Sequence, residues 1–370
     1  MCTPISTRAT SGRAAPIPTA PSWARSRRCR TIAAPTGRPR IRARASTSAC
    51  AAPTPTERRR SAPISTPTCR TVAPPGACSP TCATFWAGRI DLQASSICPI
   101  DRLAGEEGVA LADLVADHGG VLGFVTRFTG QGHDAIPPGF QDLLDRAFGL
   151  AEERGLDLDL HVDESGETAA ATLPIIARTA IRRGFRRRIQ VGHICSLSLQ
   201  PDAVIEETIR LVRDAGIAVV SLPMCNMYLQ DRVRGRTPRW RGVTLLHELA
   251  AAGVPVSVAS DNCRDPFYAY GDHDMVEVFQ SAVRIAHLDA PLGRWPEAVT
   301  TTPAEVMGLA QRGRIRPGAP ADFVLFRARF WHELLARRQA DRIVVRSGRA
   351  IDTTLPDYRE LDALVGLTSG

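Results

Sequence analysis

Apolar and polar residues alternate along the body of the chain in a way that predicts repeated strands and helices. Short apolar runs at 90–96, 121–128, 156–161, 189–193, 217–223 and 254–260 are typical of buried strands. Amphipathic helical spacing occurs between them at 107–118, 140–154, 173–183, 203–215 and 243–252. Strands that alternate with helices of about 10–15 residues indicate a parallel sheet. The pattern therefore predicts an α/β fold with six strands from Ile90 onward.

The pattern changes after residue 275, where a helical stretch runs to about residue 309. The segment GRIRPGAPADFVLF then begins as a turn and ends as a strand, and DRIVVRSGRA at 341–350 is a second short strand and turn. These patterns divide the chain into a low-complexity segment at 1–86, an α/β body at 87–312, and a small C-terminal β extension with a tail at 313–370.

Three predicted strands end in side chains that can bind a metal ion. The run LDLDLHVDE ends with His161, Asp163 and Glu164, while later strands end with His193 and Asp261. The carboxyl ends of parallel strands meet at one mouth of a βα barrel, where the active sites of that fold lie. Two histidines and an aspartate suit one divalent ion, zinc or iron, and its bound water. We therefore predict a distorted TIM-type (β/α) barrel with a metal site at this mouth.

The net charge of +8 conceals two regions of opposite charge. Residues 1–90 contain fifteen Arg and one acidic residue, Glu57, so this segment carries +14 and the remainder carries −6. The basic pI is therefore a poor argument for nucleic-acid binding by the body. Four scattered cysteines after residue 90 are expected to be core thiols, and no run is apolar enough to span a membrane. We expect the body to be a reduced, cytoplasmic enzyme without a nucleic-acid partner.

The first 85 residues are dominated by Ala, Arg, Pro, Ser and Thr and contain no His, Asp or Leu. This composition cannot bury a core, so the segment as written is expected to be disordered. Three interpretations stay open: a transit peptide, a basic arm that binds nucleic acid, and a GC-rich gene read in the wrong frame until about Trp86. The third is favoured, because codons can be chosen for residues 2–12 whose shifted frame reads His-Thr-His-Leu-Asp.

Several motifs between residues 89 and 351 resemble the amidohydrolase superfamily and, within it, the cytosine deaminase-like branch. They are HVDE at 161–164, GH at 192–193, NMYLQDR with PRWRG within 226–242, SDNCRDP at 260–266 and IRPGAPADFVLF at 315–326. The resemblance implies hydrolysis of a non-peptide C–N bond, in which metal-activated water deaminates cytosine or a related cyclic amidine. It implies a small-molecule substrate, a pyrimidine or related cyclic amidine, and leaves a homo-oligomer open.

The resemblance also implies roles for individual residues. His161 matches a histidine ligand after a middle strand, and Asp261 matches an aspartate ligand near the end of the barrel. His193 is expected beside the ion, and Glu164 matches a carboxylate that moves protons between water and the leaving group. We therefore predict catalytic roles for Glu164, His193 and Asp261, metal ligation by His161, His193 and Asp261, and substrate contacts by Asp163 and Asn262. Histidines elsewhere, including His133, are expected to face solvent.

The chain departs from the family pattern in two places. The His-x-His pair expected after the first strand is absent, since the first histidine is His118; the pair occurs only in the shifted frame, at residues 2–5. Asn262 stands where the branch often has a second aspartate, which puts cytosine itself in doubt. As written, the chain is expected to bind metal weakly and to be nearly inactive. The competing hypothesis is a non-enzymatic or degenerate barrel whose basic arm binds nucleic acid.

Overall fold

The computed structural model describes residues 84, 86–355 and 357–362, and these residues alternate between strands and helices. The described strands are β1 (Leu122–Val125), β2 (Leu158–Val162), β3 (Ile189–His193), β4 (Ala218–Ser221), β5 (Val256–Val258), β6 (Phe323–Leu325), β7 (Ile343–Arg346) and β8 (Arg349–Ala350). The described α-helices are α1 (Glu106–Asp117), α2 (Phe140–Arg154), α3 (Leu173–Arg183), α4 (Asp202–Asp214), α5 (Pro223–Leu229), α6 (Leu246–Ala251), α7 (Met275–Ala286), α8 (Thr301–Val306) and α9 (Trp331–Ala336). The predictions for residues 1–83, namely disorder, a shifted frame and upstream strands with a His-x-His pair, lie outside the described residues.

Strands β1 to β5 form a parallel sheet in which neighbours in the chain are also neighbours in space. Within the described residues this confirms the predicted parallel α/β arrangement, with a helix after each of the first four strands. The register places His161 beside Gly192 and Val162 beside His193. The carboxyl ends of β2 and β3 therefore lie side by side, and their terminal side chains share one edge of the sheet.

The first predicted strand, at 90–96, is replaced by a looser segment that runs along β1. Only isolated parallel bridges, from Ser95 to Val121 and from Pro99 to Val125, join the two. Between the bridges, the Ser96 hydroxyl replaces backbone hydrogen bonding. It accepts a hydrogen bond from the Gly123 amide at 2.9 Å and donates one to the Gly123 carbonyl at 3.0 Å. A β-carbon on Gly123 would lie 2.1 Å from the Ser96 carbonyl oxygen, so only glycine allows this close approach. The expectation of six regular strands is thus corrected to five strands and one bridged segment.

The sheet is buried because helices cover its outer face. All four residues of β1 and all four of β4 are buried, as expected for parallel strands covered on both faces. Helix α2 contributes Leu144 and Phe148, both 0% exposed, to the same core. Full burial of each such side chain stabilises the fold by about 1.5–3 kcal/mol. This apolar packing holds the strand ends in fixed positions.

Strands β6, β7 and β8 form an antiparallel sheet in the C-terminal region, where the sequence predicts two short strands. An ion-pair cluster of Asp91, Arg312, Asp322 and Arg346 joins this extension to the start of the body. The Asp91 carboxylate lies 3.0 Å from Arg312 and 2.9 Å from Arg346, and Asp322 pairs with both guanidinium groups. Among the described helices, none is long and apolar enough to cross a membrane.

Candidate active site

The ends of β2 and β3 bring three possible metal ligands together. One ligand atom from each of His161, Glu164 and His193 lies within 4.8 Å of the others. Nε2 of His193 is 3.2 Å from Nδ1 of His161, and the two ring centroids are 4.9 Å apart. His193 is buried, while the other two side chains are partly open. The cluster is therefore a set of imidazole and carboxylate donors reachable from one side.

The backbone at these strand ends adopts an uncommon conformation. Asp163, His193, Ile194 and Asp261 have φ values of 48°, 71°, 42° and 63°, in the left-handed region that non-glycine residues seldom occupy. Such residues cost about 1–3 kcal/mol each and persist where the surrounding packing leaves no alternative. Each lies at or just after the end of a strand, and this left-handed conformation turns the chain away from the strand direction at the site.

Glu164 is held between a histidine and an amide. Its Oε1 lies 3.3 Å from Nδ1 of His193 and accepts a hydrogen bond from Nδ2 of Asn226, also at 3.3 Å. Burial raises the pKa of Glu164, while the charge of His193 lowers it and that of Asp261 raises it further. Arg127, on the loop after β1, has a lowering effect. A carboxyl group with a raised pKa beside two potential ligands is suited to taking up and releasing a proton.

The neighbouring carboxylate, Asp163, points to the other side of the strand. Its oxygens accept hydrogen bonds from the Thr172 amide at 2.9 Å, the Thr172 hydroxyl at 2.6 Å and the Leu173 amide at 3.0 Å. These donors lie at the start of α3, where a negative charge is favourable. Burial raises the pKa of Asp163 and the three hydrogen bonds lower it. This geometry favours a structural part for Asp163 over the predicted contact with substrate.

The end of β5 places Asp261 near this cluster but not within it. Oδ2 of Asp261 is buried and has no hydrogen-bond partner, which is costly for a carboxylate unless a cation or donor occupies the site. Burial and the Asp261 carboxylate both raise the pKa of the Cys225 thiol. Asn262 donates to the Asp265 carboxylate at 2.5 Å and accepts from Cys225 at 3.5 Å, so it organises the loop after β5.

These donors fit a divalent metal ion. Imidazole and carboxylate groups are common ligands of both zinc and iron. The unpartnered oxygen of Asp261 is the kind of buried group that a cation satisfies.

Two contributions to the site were missed by the sequence patterns. Helix α5 places Asn226 at the centre of the cluster, although its seven residues are too few to show a helical period. His133 was expected to face solvent, but it is only half-exposed and its Nδ1 is buried without a partner. Burial lowers the pKa of His133 to about 3, with further lowering by Arg127 and His193. The expectation for His133 was wrong because its loop folds back toward the strand ends.

A cavity of about 600 Å³ borders α5. It is lined by Met224, Met227, Tyr228, Arg232, Pro238, Arg239, Trp240, Arg241, Tyr268 and Tyr270. Tyr228 meets Tyr268 and Tyr270 edge to face, with centroids 5.2 and 5.8 Å apart, and the Arg232 guanidinium stacks on Tyr228 at 3.9 Å.

The loop that carries Trp240 is packed against the site. Trp240 lies over Gly166, two residues after Glu164, where an added β-carbon would be 3.1 Å from the indole ring. Gly242 has a φ of 70°, and a β-carbon there would lie 2.2 Å from that of Gln230. Gln230 in turn donates to the Glu164 carbonyl at 3.4 Å. These contacts connect the aromatic cavity to the loop that bears the central carboxylate.

Comparison with known proteins places these features in a family. Residues 106–352 match the model of the amidohydrolase family. The chain is 53% identical over 282 residues to the pterin deaminase of Rhizobium rhizogenes (strain K84 / ATCC BAA-868), a match that covers 76% of this chain and 63% of that protein. This chain therefore spans less than two thirds of that relative's length.

Solved structures show the same fold. The 5-methylcytosine deaminase of Klebsiella pneumoniae, with 5-fluorocytosine bound, has a TM-score of 0.65 and 24% identity, covering 75% of this chain and 67% of that one. The N-isopropylammelide isopropylaminohydrolase of Burkholderia multivorans ATCC 17616 has a TM-score of 0.60 and 25% identity, with coverages of 75% and 67%. These likenesses confirm the predicted TIM-type α/β fold, and the family match confirms the resemblance to the amidohydrolase superfamily. Metal binding is typical of such enzymes, and this chain belongs to the amidohydrolase family.

Proposed function

We propose that the site is that of a metal-dependent deaminase acting on a cyclic amidine within a fused heteroaromatic ring of the pterin type. The observation that carries the proposal is the position of Glu164, whose carboxylate lies between His193 and Asn226 and beside His161. A proton-transferring carboxylate next to a set of imidazole donors is what hydrolysis of a C–N bond requires. The 53% identity to a pterin deaminase supports the same reaction class.

The chain's own residues divide the work between holding an ion and moving protons. His161, His193 and Asp261 would hold a divalent ion, which when bound supplies activated water for attack on the amidine carbon. Oε1 of Glu164 accepts the two protons of that water in turn and delivers one to the ring nitrogen and one to the departing amine. The net reaction consumes one water, breaks the C–N bond to the amino group and releases ammonia, leaving a carbonyl on the ring.

The cavity beside α5 reaches the Glu164 loop through the contact of Trp240 with Gly166, and it would hold the part of the substrate that extends beyond the reacting ring. Its volume of about 600 Å³ lies within the range of about 300–1,000 Å³ typical of small-molecule sites. Tyrosine and tryptophan walls favour flat aromatic ligands through stacking and edge contacts. Asn262, at the position where cytosine deaminase-like proteins often have aspartate, also argues against cytosine. Both features favour a bicyclic substrate over cytosine.

The test is a comparison of pterin with cytosine using the purified chain supplied with a saturating excess of zinc or ferrous iron. Ammonia release and incorporation of oxygen from isotopically labelled water should be seen with pterin and should disappear in Glu164→Gln. Faster turnover of cytosine than pterin would contradict the substrate assignment. Absence of turnover with either metal and either substrate would contradict the deaminase proposal for this chain.

We further propose that this chain holds its ion weakly. The family pattern implies two more histidines than the chain contains, since no histidine precedes His118. Zinc titration should therefore show weaker binding by this chain than by the product of a gene whose reading frame is restored before the Trp86 codon. One tightly bound ion in the chain as written would contradict this proposal.

A further inference from the structure

The loop between α5 and α6, residues 230–245, forms one wall of the aromatic cavity. It contributes Arg232, Pro238, Arg239, Trp240 and Arg241 to the lining. Connections of this length without secondary structure of their own are uncommon in compact domains, and many of them bind ligands. The position of this wall relative to Glu164 depends on the contacts that hold the loop.

Contacts within the loop make it a compact unit. The Asp231 carboxylate pairs with the Arg236 guanidinium and accepts a hydrogen bond from the Arg239 amide at 2.5 Å. At the base of the loop, a β-carbon added to Gly242 would lie 2.2 Å from the β-carbon of Gln230. A loop whose ends meet and whose own side chains hold it together is of the Ω type. Such a unit can turn about its base, so its orientation depends on contacts with the rest of the protein.

One of these outside contacts joins Arg241 to the C-terminal end of α7. Nη1 of Arg241 donates to the Ile285 carbonyl at 2.5 Å and lies 3.0 Å from Nε2 of His287, the residue at which the helix ends. The last carbonyls of a helix have no partner within it and carry the negative end of its dipole, so a guanidinium is favourable there. Helix α7 is itself fixed, because Val278 and Ala282 are buried in the core.

Trp240, the residue before Arg241, contacts a different part of the protein. Its indole lies over Gly166, two residues after Glu164. We infer that Arg241 is a positioning residue that fastens the α5–α6 loop to α7 and thereby holds Trp240 over the loop that bears Glu164. The inference rests on the proposed function only for its meaning in catalysis, because the position of the α5–α6 loop is a property of the protein alone.

Loss of this anchor should weaken substrate binding and leave the chemical step intact. His161 and His193 lie on strands of the buried sheet, which Arg241 does not contact. A loop that is free to turn would hold Trp240 over the site for only part of the time, and the apparent affinity falls with the fraction of molecules in the binding conformation. KM for pterin should therefore rise about fivefold to tenfold in Arg241→Gln, with kcat within about twofold.

Hydrogen exchange of the full chain, measured by mass spectrometry with zinc and without substrate, tests the anchor directly. Arg241→Gln removes the charge and shortens the side chain, so amides at 231–242 should exchange at least about tenfold faster, because hydrogen bonds from charged donors are among the stronger ones. Arg241→Lys keeps a cationic donor and should restore part of the protection. The matched control is Arg234→Gln, an exposed arginine of the same loop, which should exchange like the unmutated chain.

Unchanged exchange of the loop in folded Arg241→Gln would overturn the inference. Faster exchange that spreads through β2 and β3 would overturn it too, because Arg241 would then support the whole fold. If Arg241→Gln does not fold, the unmutated chain and Arg241→Lys decide: loop amides that exchange as fast as those of an unstructured peptide in the unmutated chain, or unchanged loop exchange in Arg241→Lys, would sink the inference. Exchange needs no turnover, so an inactive chain with the expected exchange contradicts the deaminase proposal alone.

Discussion

Two regions that border helix α5, the polar cluster at the strand ends and the aromatic cavity, are built from different kinds of residue. In the cluster, Asn226 meets His193 and Glu164, which lie at or just after strand ends fixed by a buried sheet. Next to this cluster, an open cavity is lined by aromatic and arginine side chains that come mostly from loops. The first region contains short hydrogen bonds between polar groups, and the second contains ring contacts of 5–6 Å.

This difference predicts which residues control the rate of proton transfer and which control binding of the substrate. Proton transfer depends on small displacements, and a sheet buried on both faces restricts them. Recognition of a flat ligand depends on area and stacking, which loop side chains can supply. We therefore expect substitutions at the strand ends to reduce kcat or stability, and substitutions around the cavity to raise KM.

The largest effect is expected from Glu164→Gln. The substitution keeps the shape of the side chain but removes the proton acceptor, so kcat should fall about 10²–10⁴-fold with a smaller change in KM. Steady-state ammonia release measures both constants. Glu167→Gln, an exposed carboxylate three residues further along the chain, is the matched control and should retain full activity. A loss below tenfold in Glu164→Gln would argue against its proton-transfer role.

The next largest effect is expected from Asp163→Ala, and it should concern stability. Three buried donors at the start of α3 would lose their acceptor, each at a cost of about 1–3 kcal/mol. The free energy of unfolding should therefore fall by at least about 3 kcal/mol in a urea titration. Asp202→Ala, an exposed acidic residue in the first turn of α4, should cost less than about 1 kcal/mol. Equal losses in the two variants would contradict a structural part for Asp163.

A moderate effect is expected from Trp240→Ala. Stacking of a heterocycle on an aromatic side chain is worth about 1–3 kcal/mol, so KM for pterin should rise about tenfold while kcat stays within about twofold. Trp331→Ala, a half-exposed tryptophan in the C-terminal extension, should leave both constants unchanged. A fall in kcat without a rise in KM would instead indicate that Trp240 acts in catalysis, like the residues at the strand ends, and not in substrate binding.

The smallest effect is expected from Gly166→Ala, which tests the contact between the two regions. The new methyl group would lie 3.1 Å from the Trp240 indole, so the ring must shift by a few tenths of an ångström. KM should change by about twofold, equivalent to roughly 0.4 kcal/mol. Gly105→Ala meets nothing within 4 Å and serves as the control. A KM unchanged from the control would show that the Trp240 position does not govern binding.

Much of the fold was predictable because the strands are buried on both faces and the longer helices are amphipathic. Helices α2 and α3 begin and end at the residues that the pattern predicts. The bridged segment near Ser96 was not predictable, since its pairing depends on one hydroxyl and on the missing side chain of Gly123. Apolar periodicity does not encode such single contacts.

The site was predictable to the extent that it depends on strand ends. Sequence order placed His161 and His193 at the ends of neighbouring strands, and the structure brings them together with Glu164. Alternation along a strand did not reveal that Asp163 turns toward α3, because its positive φ reverses the local direction of the chain. Asn226 was missed as a contact because its position depends on the fold of a short helix. The catalytic, metal and substrate roles themselves stay predictions.

The ion-pair cluster that joins Asp91 to Arg346 has a consequence for the order of folding. The two residues are 255 positions apart, so bringing them together costs roughly 3 kcal/mol more in chain entropy than closing a 10-residue loop. Contacts of such long range form late and slow the folding of a domain. The Asp91 carboxylate can therefore form both ion pairs only after the β7–β8 hairpin has been synthesised, so this pairing is expected late in folding.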